Sequence, residues 1–423
     1  MEKYYNKALE LDKMDSLAGL KYSFVENEDL VYLDGNSLGR MPVKTADLIS
    51  QVTEGEWGQR LIRSWNEGWI DLPRRIAAKI AIIVGAGEDE IFVGDTTSLN
   101  LYKLAFSVLH SDKERNEIVS DELNFPTDLY VLQGLINYQF KNHVLSLARS
   151  KDGMTIDYDS LKALIGKNTS LLTLSYVAFK SSFMYDMQRI NDLARDNGAK
   201  IIWDLSHATG AVPVNLNENG AEMAVGCTYK YLNGGPGSPA FLYIRKDLQE
   251  KMINPVSGWF AHEKPFDFNH DFKQADDIRK FGIGTPSILS MAAIEPGLDI
   301  IIDAGVDNLR RKSLVQSRFL IEMIREHLLP LGFELASPID DESRGSHISV
   351  RHKEGYRINR AMIEPVNGAV PVIPDFRPPD NIRLGIAPLY NSFMDLFYSV
   401  ERMKQIVEDG EFNDFNIDRL MVT

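Results

Sequence analysis

Between about residues 85 and 245 the chain alternates short apolar, β-branched runs with segments of helical period, and no other feature constrains its fold as much. The runs Glu90–Gly94, Asn116–Ser120, Ser170–Tyr176, Lys200–Trp203, Ala224–Cys227 and Ala240–Ile244 predict strands, and Leu99–His110 and Met187–Asn197 predict helices between them. Strands separated by helices run mostly parallel, because a return crossover needs the length that a helix supplies. The predicted fold class is α/β, a three-layer α/β/α arrangement with a mostly parallel central sheet. Ligands of such sheets collect outside the carboxyl ends of the strands. Beyond about residue 300 the pattern changes to a long amphipathic helix over Gly305–His327, strand-like stretches over residues 332–336 and His347–Arg351, a proline-rich turn over Pro374–Asp380, and a last helix over Ser392–Asp409. These predict a smaller α+β C-terminal domain. The expected division is 46–300 for the large domain and 301–423 for the small one, with residues 1–45 packing on the latter.

The chemistry-bearing residues fall at predicted strand ends. Lys230 closes the apolar run Met223–Tyr229 and leads into Tyr231-Leu-Asn-Gly-Gly-Pro-Gly237, while Asp204 and then His207 close the strand before it. A lysine held between a strand and a glycine-rich loop supplies an amine for a Schiff base. A buried carboxylate keeps a pyridine nitrogen protonated, so that the ring accepts electrons. In this order the two residues read as a pyridoxal phosphate site. Asp204 alone would read equally as a helix cap. Thr96-Thr97-Ser98 follows the first strand and opens a helix, either as a plain cap or as a phosphate cradle of free N–H groups and hydroxyls. Asn124-Phe-Pro-Thr-Asp128 opens on the same face. Phe125 is there either core or a ring that stacks on the cofactor, and Asp128 is a candidate orienting carboxylate. Trp259 and the Gly282-Ile-Gly-Thr285 loop offer further donors. Arg383, set between Ile382 and Leu384, suits a buried partner such as a substrate carboxylate better than Arg377 does.

Composition excludes other classes. A net charge of −14 over 423 residues disfavours nucleic acid. No apolar run is long enough for a membrane span, and the eight histidines show no metal-binding spacing, so no metal is expected. One cysteine, Cys227, fits a reducing, cytoplasmic location.

With these residues in place the chain resembles the kynureninases, fold-type I pyridoxal phosphate enzymes of the aminotransferase class V superfamily. The motifs run in family order over nearly the whole length: Tyr32-Leu-Asp-Gly-Asn-Ser-Leu-Gly39, Arg63-Ser-Trp-Asn66, Asp95-Thr-Thr-Ser98, Phe125-Pro-Thr-Asp128, Trp203-Asp-Leu-Ser-His-Ala208, Tyr229-Lys-Tyr-Leu-Asn-Gly234, Gly258-Trp259, Gly284-Thr-Pro-Ser287 and Arg383-Leu-Gly-Ile-Ala-Pro-Leu-Tyr-Asn-Ser-Phe393. The resemblance implies hydrolysis of L-kynurenine to anthranilate and L-alanine in tryptophan catabolism. Lys230 would be the Schiff-base lysine and proton shuttle, Asp204 would face the pyridinium nitrogen, His207 would stand beside it, and Tyr229 would be the acid for the final protonation. The cofactor would be held by Thr97, Ser98, Phe125, Pro126, Thr127, Asp128, Ser175, Tyr229, Trp259 and Thr285, with Trp259 and Thr285 reaching in from the neighbouring subunit of a homodimer with shared active sites. Arg383 would clamp the substrate carboxylate, joined in the substrate site by Ser37 and Trp65. Trp65, Phe125 and Tyr176 would form the slot for the aniline ring. Tyr176 and Ala178 depart from the family pattern, which has a histidine and a polar residue there in many bacterial members. Trp65 and Thr285 stand where members handling the 3-hydroxylated substrate resemble one another in having His and Asn, which points to unsubstituted kynurenine. Three other readings remain at this stage: a cysteine desulfurase or lyase of the same superfamily, an aminotransferase, and an inactive cofactor-binding regulator.

Overall fold

The computed structural model describes residues 1–418 apart from 26, 28 and 367. Its strands are β1 (Val31–Tyr32), β2 (Ile91–Val93), β3 (Glu117–Asp121), β4 (Val144–Ala148), β5 (Thr169–Ser175), β6 (Lys200–Asp204), β7 (Met223–Gly226), β8 (Phe241–Ile244), β9 (Glu334–Leu335), β10 (Ile348–Arg351), β11 (Val372–Ile373), β12 (Asp375–Arg377) and β13 (Asn381–Leu384). Seven of them form the main sheet in the order β2-β8-β7-β6-β5-β3-β4, in which β8 alone runs against its neighbours.

The period-2 alternation of the strands builds the three layers. Ile201, Trp203, Ala224, Phe241 and Tyr243 point to one face and pack with Ile76 and Ile80 of the helix Leu72–Val84 and with Ile190 of the helix Met187–Asp196. Ile202, Met223, Val225, Leu242 and Ile244 point to the other face, under Leu101, Leu104 and Val108 of the helix Thr97–Ser111 and Leu132 of the helix Pro126–Tyr138. Gly226 is required by this packing: a Cβ there would lie 2.5 Å from the Phe241 ring.

A second sheet, β12-β13-β10-β9, is antiparallel. It shares a core with the helices Val306–Met323, Gly355–Ile363 and Phe393–Glu408, and with Tyr4 and Ala8 of the helix Glu2–Met14. The stretch expected as a proline-rich turn carries β12, whose Asp375, Phe376 and Arg377 pair with β13. Prolines 378 and 379 occupy the connection between the two strands, where the missing N–H costs no ladder bond. The long helix expected over Gly305–His327 ends at Met323 and continues as a wider turn over Ile324–Leu328. β1 pairs in parallel with β11, Val31 opposite Val372, and so carries the following loop toward the carboxyl ends of the main sheet.

The last helix begins with a reciprocal cap, in which the Ser392 hydroxyl accepts from the Asp395 amide at 3.0 Å and the Asp395 carboxylate accepts from the Ser392 amide at 2.9 Å. Removing one half leaves first-turn donors unpaired, so Ser392→Ala should lower stability by about 1 kcal/mol, read as a reduced urea midpoint at unchanged slope.

Candidate active site

Lys230 lies just beyond β7 and is only 9% exposed. Its Nζ is 2.9 Å from His207 Nε2. An ammonium has no lone pair to offer, so Nε2 accepts and the His207 proton sits on Nδ1, which is buried without a partner. Burial, reinforced by Lys230 and Arg383, holds this imidazole well below its ordinary pKa and therefore neutral. The rings of Phe125 and Tyr229 stand 5.7 and 5.8 Å from the same amine.

Asp204 ends β6 next to this lysine. Burial raises its carboxyl, against the pull of the Ser206 hydrogen bonds and of Lys230. Its Oδ1 accepts from the Ser206 amide at 2.8 Å. Asp128, on the first turn of the helix Pro126–Tyr138, is raised further by burial and by the Asp204 charge, and its Oδ2 has no hydrogen-bond partner. Ser175, at the end of β5 and in register with Asp204, donates to Asn124 Oδ1 at 2.6 Å. That same oxygen takes the Phe125 amide at 2.9 Å and so sets the turn that presents Phe125, Pro126 and Thr127.

At the end of β2, Asp95 adopts a left-handed conformation (φ 56°). The helix that follows starts at Thr97, and Thr96 Oγ1 takes the Leu99 amide at 3.3 Å, leaving the amides of Thr97 and Ser98 at the helix start for an anion. Asp95 is paired to the buried Lys103, whose ammonium also donates to the Phe281 carbonyl at 2.7 Å and ties this turn to the segment leading to Thr285. Gly258 lies against that segment, since a Cβ there would come 2.1 Å from the Ile283 carbonyl. Trp259 and Thr285 are therefore near one another in the fold, and both are exposed.

The loop after β1 closes the site from the small sheet. The Gly39 amide donates to the Tyr229 carbonyl at 2.8 Å, and a Cβ on Gly39 would meet the Lys230 carbonyl at 2.3 Å. Ser37 Oγ accepts from Arg383 at 3.0 Å. Arg383 is wholly buried and paired with Asp375. Its Nη1 also donates to the carbonyl of Phe179, the residue whose ring meets Phe125 edge-on at 5.2 Å.

The structure thus gathers Lys230, Asp204, His207, Phe125, Asp128, Ser175 and Tyr229 at the carboxyl ends of the strands, with Arg383 and Ser37 across from them. Trp65 is elsewhere engaged, its ring edge-on to Trp69 at 5.6 Å. Tyr176 does not line a slot as expected. Strand alternation turns it away from Ser175, into the core against Trp203 at 5.9 Å. The sequence reading missed His347, buried with its ring 5.7 Å from His207, and it missed Asp375; a histidine entering an apolar strand and an aspartate in a proline-rich stretch carry no distinctive signal.

A mostly parallel sheet that buries a lysine beside a carboxylate and an imidazole at its strand ends is the arrangement of fold-type I pyridoxal phosphate enzymes. Solved structures share the fold: a cysteine desulfurase from Thermococcus onnurineus NA1 (TM-score 0.79, 17% identity, covering 92% of this chain and 98% of that one), and a C-DES mutant with glycine covalently linked to the PLP cofactor (TM-score 0.80, 13% identity, 91% and 98%). A family model for the kynureninase C-terminal domain matches residues 309–403. The kynureninase of Pseudomonas fluorescens is 39% identical over 408 residues, covering 95% of each chain. The chain belongs to the kynureninase family.

Asp121, at the end of β3, holds the turn before Phe125 by accepting from the Leu123 amide at 2.7 Å and the Tyr185 hydroxyl at 2.8 Å. Burial pushes its carboxyl up to about 6. The folded state therefore binds this proton more tightly than the unfolded chain, and its stabilising effect, complete below about pH 4, is lost as pH rises to about 6. Asp121→Asn should abolish this dependence, which amounts to about 2 kcal/mol between pH 4.5 and pH 7. Urea unfolding of the cofactor-free protein at pH 4.5 and pH 7 would then show a smaller difference in the variant than in the parent.

Proposed function

We propose that this chain hydrolyses L-kynurenine to anthranilate and L-alanine with pyridoxal phosphate bound through Lys230. The observation that carries the proposal is the buried Lys230–His207–Asp204 group facing a buried arginine, Arg383, in a chain 39% identical to a kynureninase. The site fits the cofactor. Asp128 Oδ2 and His207 Nδ1 are buried and unpartnered, as groups waiting for a polar ligand are, and the helix start at Thr97 and Ser98 offers amides to a phosphate. When bound, the cofactor supplies an electron sink for the charge that develops at the substrate Cα and Cβ.

The residues divide the remaining work. Lys230 anchors the cofactor by its amine and moves the proton at Cα. Asp204, raised by burial, is relieved by a protonated ring nitrogen and so holds that proton in place. Phe125 would hold the ring by its face, with Pro126 and Thr127 shaping the turn, and Ser175 and Asp128 would offer polar groups to it. Arg383 and Ser37 fix the substrate carboxylate, which sets Cα over Lys230. Burial raises the Tyr229 hydroxyl, keeping it protonated as the acid that returns a proton to the three-carbon product. Water adds to the γ-carbonyl before the Cβ–Cγ bond breaks.

Residues 46–300 and 301–423 are read as the large and small domains, with 1–45 on the small one; Tyr4, Ala8, Val31 and Leu33 in the core around Phe319 support that reading, while Phe24, Leu309 and Tyr390 belong to the core around Trp203 and join the two. A homodimer completes the site. Its support is the exposed aromatic set Trp259, Phe266, Phe268 and Phe272 beside exposed Thr285, in which the Trp259 ring lies against Phe266 and Phe268. A second copy covering it would bring Trp259 and Thr285 to the neighbour's phosphate site. Against a cysteine desulfurase, Cys227 is buried with its thiol pushed up by burial, directed at the Ser206 carbonyl and not at a substrate. The single free cysteine is the basis for placing the enzyme in the cytoplasm. Among the described residues no helix is long and apolar enough to cross a membrane.

An absorbance scan of purified protein, before and after L-kynurenine, with anthranilate fluorescence and alanine followed together, tests this reading. The bound cofactor's visible band should vanish in Lys230→Ala, and the parent should release the two products in equal amounts. A band without anthranilate would redirect the search to transaminase or lyase substrates. Tyr229→Phe should keep the band and lose about 10²–10⁴-fold in kcat.

A further inference from the structure

The inference rests on the reading of Arg383 as the clamp for the substrate carboxylate. Around that arginine the fold gathers four charges. Asp375 on β12 pairs with Arg383 and lies 3.3 Å from Arg377, and Asp34, in the loop after β1, has Asp375, Arg383 and Arg377 as its charged neighbours. Ser37 accepts from Arg383 at 3.0 Å and from Arg377 at 3.5 Å, so its own hydrogen is left for the Asp34 carboxylate. The Oδ1 of Asp34 is buried without a hydrogen-bond partner.

The other titratable groups nearby do not compete for a proton. The phenols of Tyr32, Tyr231 and Tyr390 face Asp34 and are kept neutral by burial, and Arg40 lies over the rings of Tyr32 and Tyr390 at 5.6 and 5.4 Å. His347 and His207, beyond Arg383, are held neutral by burial and by Lys230 and Arg383. With Asp34 and Asp375 both ionised the cluster is balanced, two negative charges against two positive. A substrate carboxylate at Arg383 adds a third negative charge in a place water barely reaches.

We propose that Asp34 is the charge-compensating residue of the clamp: an anion bound at Arg383 draws one proton from solvent onto Asp34 Oδ1, restoring the balance. In the free enzyme, burial and Asp375 already push the Asp34 carboxyl up to about 7. Below that pH the proton is present before the anion arrives. Above it, binding takes a proton up, and affinity falls by about tenfold per pH unit.

The test uses the cofactor-loaded enzyme and 4-oxo-4-phenylbutanoate, which keeps the carboxylate and aryl ketone of the substrate and lacks both its α-amine and its ring amine. Calorimetric titration in two buffers of different ionisation heat counts protons. Uptake should approach one per anion near pH 8.5 and vanish near pH 6, whereas Asp34→Asn should bind without uptake and keep the low-pH affinity throughout. Infrared difference spectra of the unmutated enzyme at about pH 8 should gain a protonated-carboxyl band when the anion is added, a readout that does not depend on the variant folding. Binding without uptake, uptake unchanged in Asp34→Asn, or no new carboxyl band would each overturn the proposal and leave the clamp standing. Anion binding that is absent, or equal in Arg383→Ala, would instead remove the clamp and the proposal with it.

Discussion

Burial of the Lys230 amine is the constraint that the rest of the large sheet answers. An ammonium withdrawn from water is costly unless it finds acceptors and charge close by, and each neighbour meets part of that need. His207 accepts its hydrogen bond, the faces of Phe125 and Tyr229 stand within cation–π range, and Asp204 supplies negative charge. None of these groups is at rest by itself. The carboxyls of Asp204 and Asp128 are pushed up, the imidazole is pushed down, and two polar atoms lack partners. Such mutual strain among titratable groups is what a binding site for a charged, polar ring looks like before the ring is bound.

The small sheet holds a second buried charge set, Arg383 with Asp375, and the loop from Asp34 to Gly39 joins it to the first. Ser37 touches Arg383 while Gly39, two residues on, is bonded to the Tyr229 carbonyl. The distance between amine and guanidinium, which must match the reach of one amino acid, is therefore held by a short piece of backbone fixed at both ends.

Most of the large sheet was legible in the sequence because its strands are buried on both faces and read as continuous apolar runs. The strand Val144–Ala148 was not, since as an edge strand it is half exposed and its pattern is weak. Lys230, Asp204 and His207 were legible because each stands at a strand end, where a polar residue interrupts an apolar run. Their partners were not. Lys103 sits in a helix with no other lysine, arginine, aspartate or glutamate, and declares its role only when Asp95 and the Phe281 carbonyl converge on it. Asp375 belongs to a stretch whose prolines read as a turn, and its pairing with Arg383 depends on strand register that no local pattern encodes. Tyr176 was misread because the resemblance gave its position and not the face of the strand it would occupy.

The pairing of β1 with β11 sets Val31 beside Val372, so the first strand made has no partner until most of the chain exists. Contacts between such distant positions are slow to form, because the loop they close must be ordered before they stabilise anything. On a ribosome the main sheet, complete by Ile244, has all its strands long before that. The loop that reaches Lys230 and Arg383 must then wait for the strands between Val372 and Leu384. A nascent chain of this protein would carry a nearly finished sheet with an open, unmatched set of buried charges, and the strands that bring Asp375 and Arg383 would convert a folded scaffold into an enzyme.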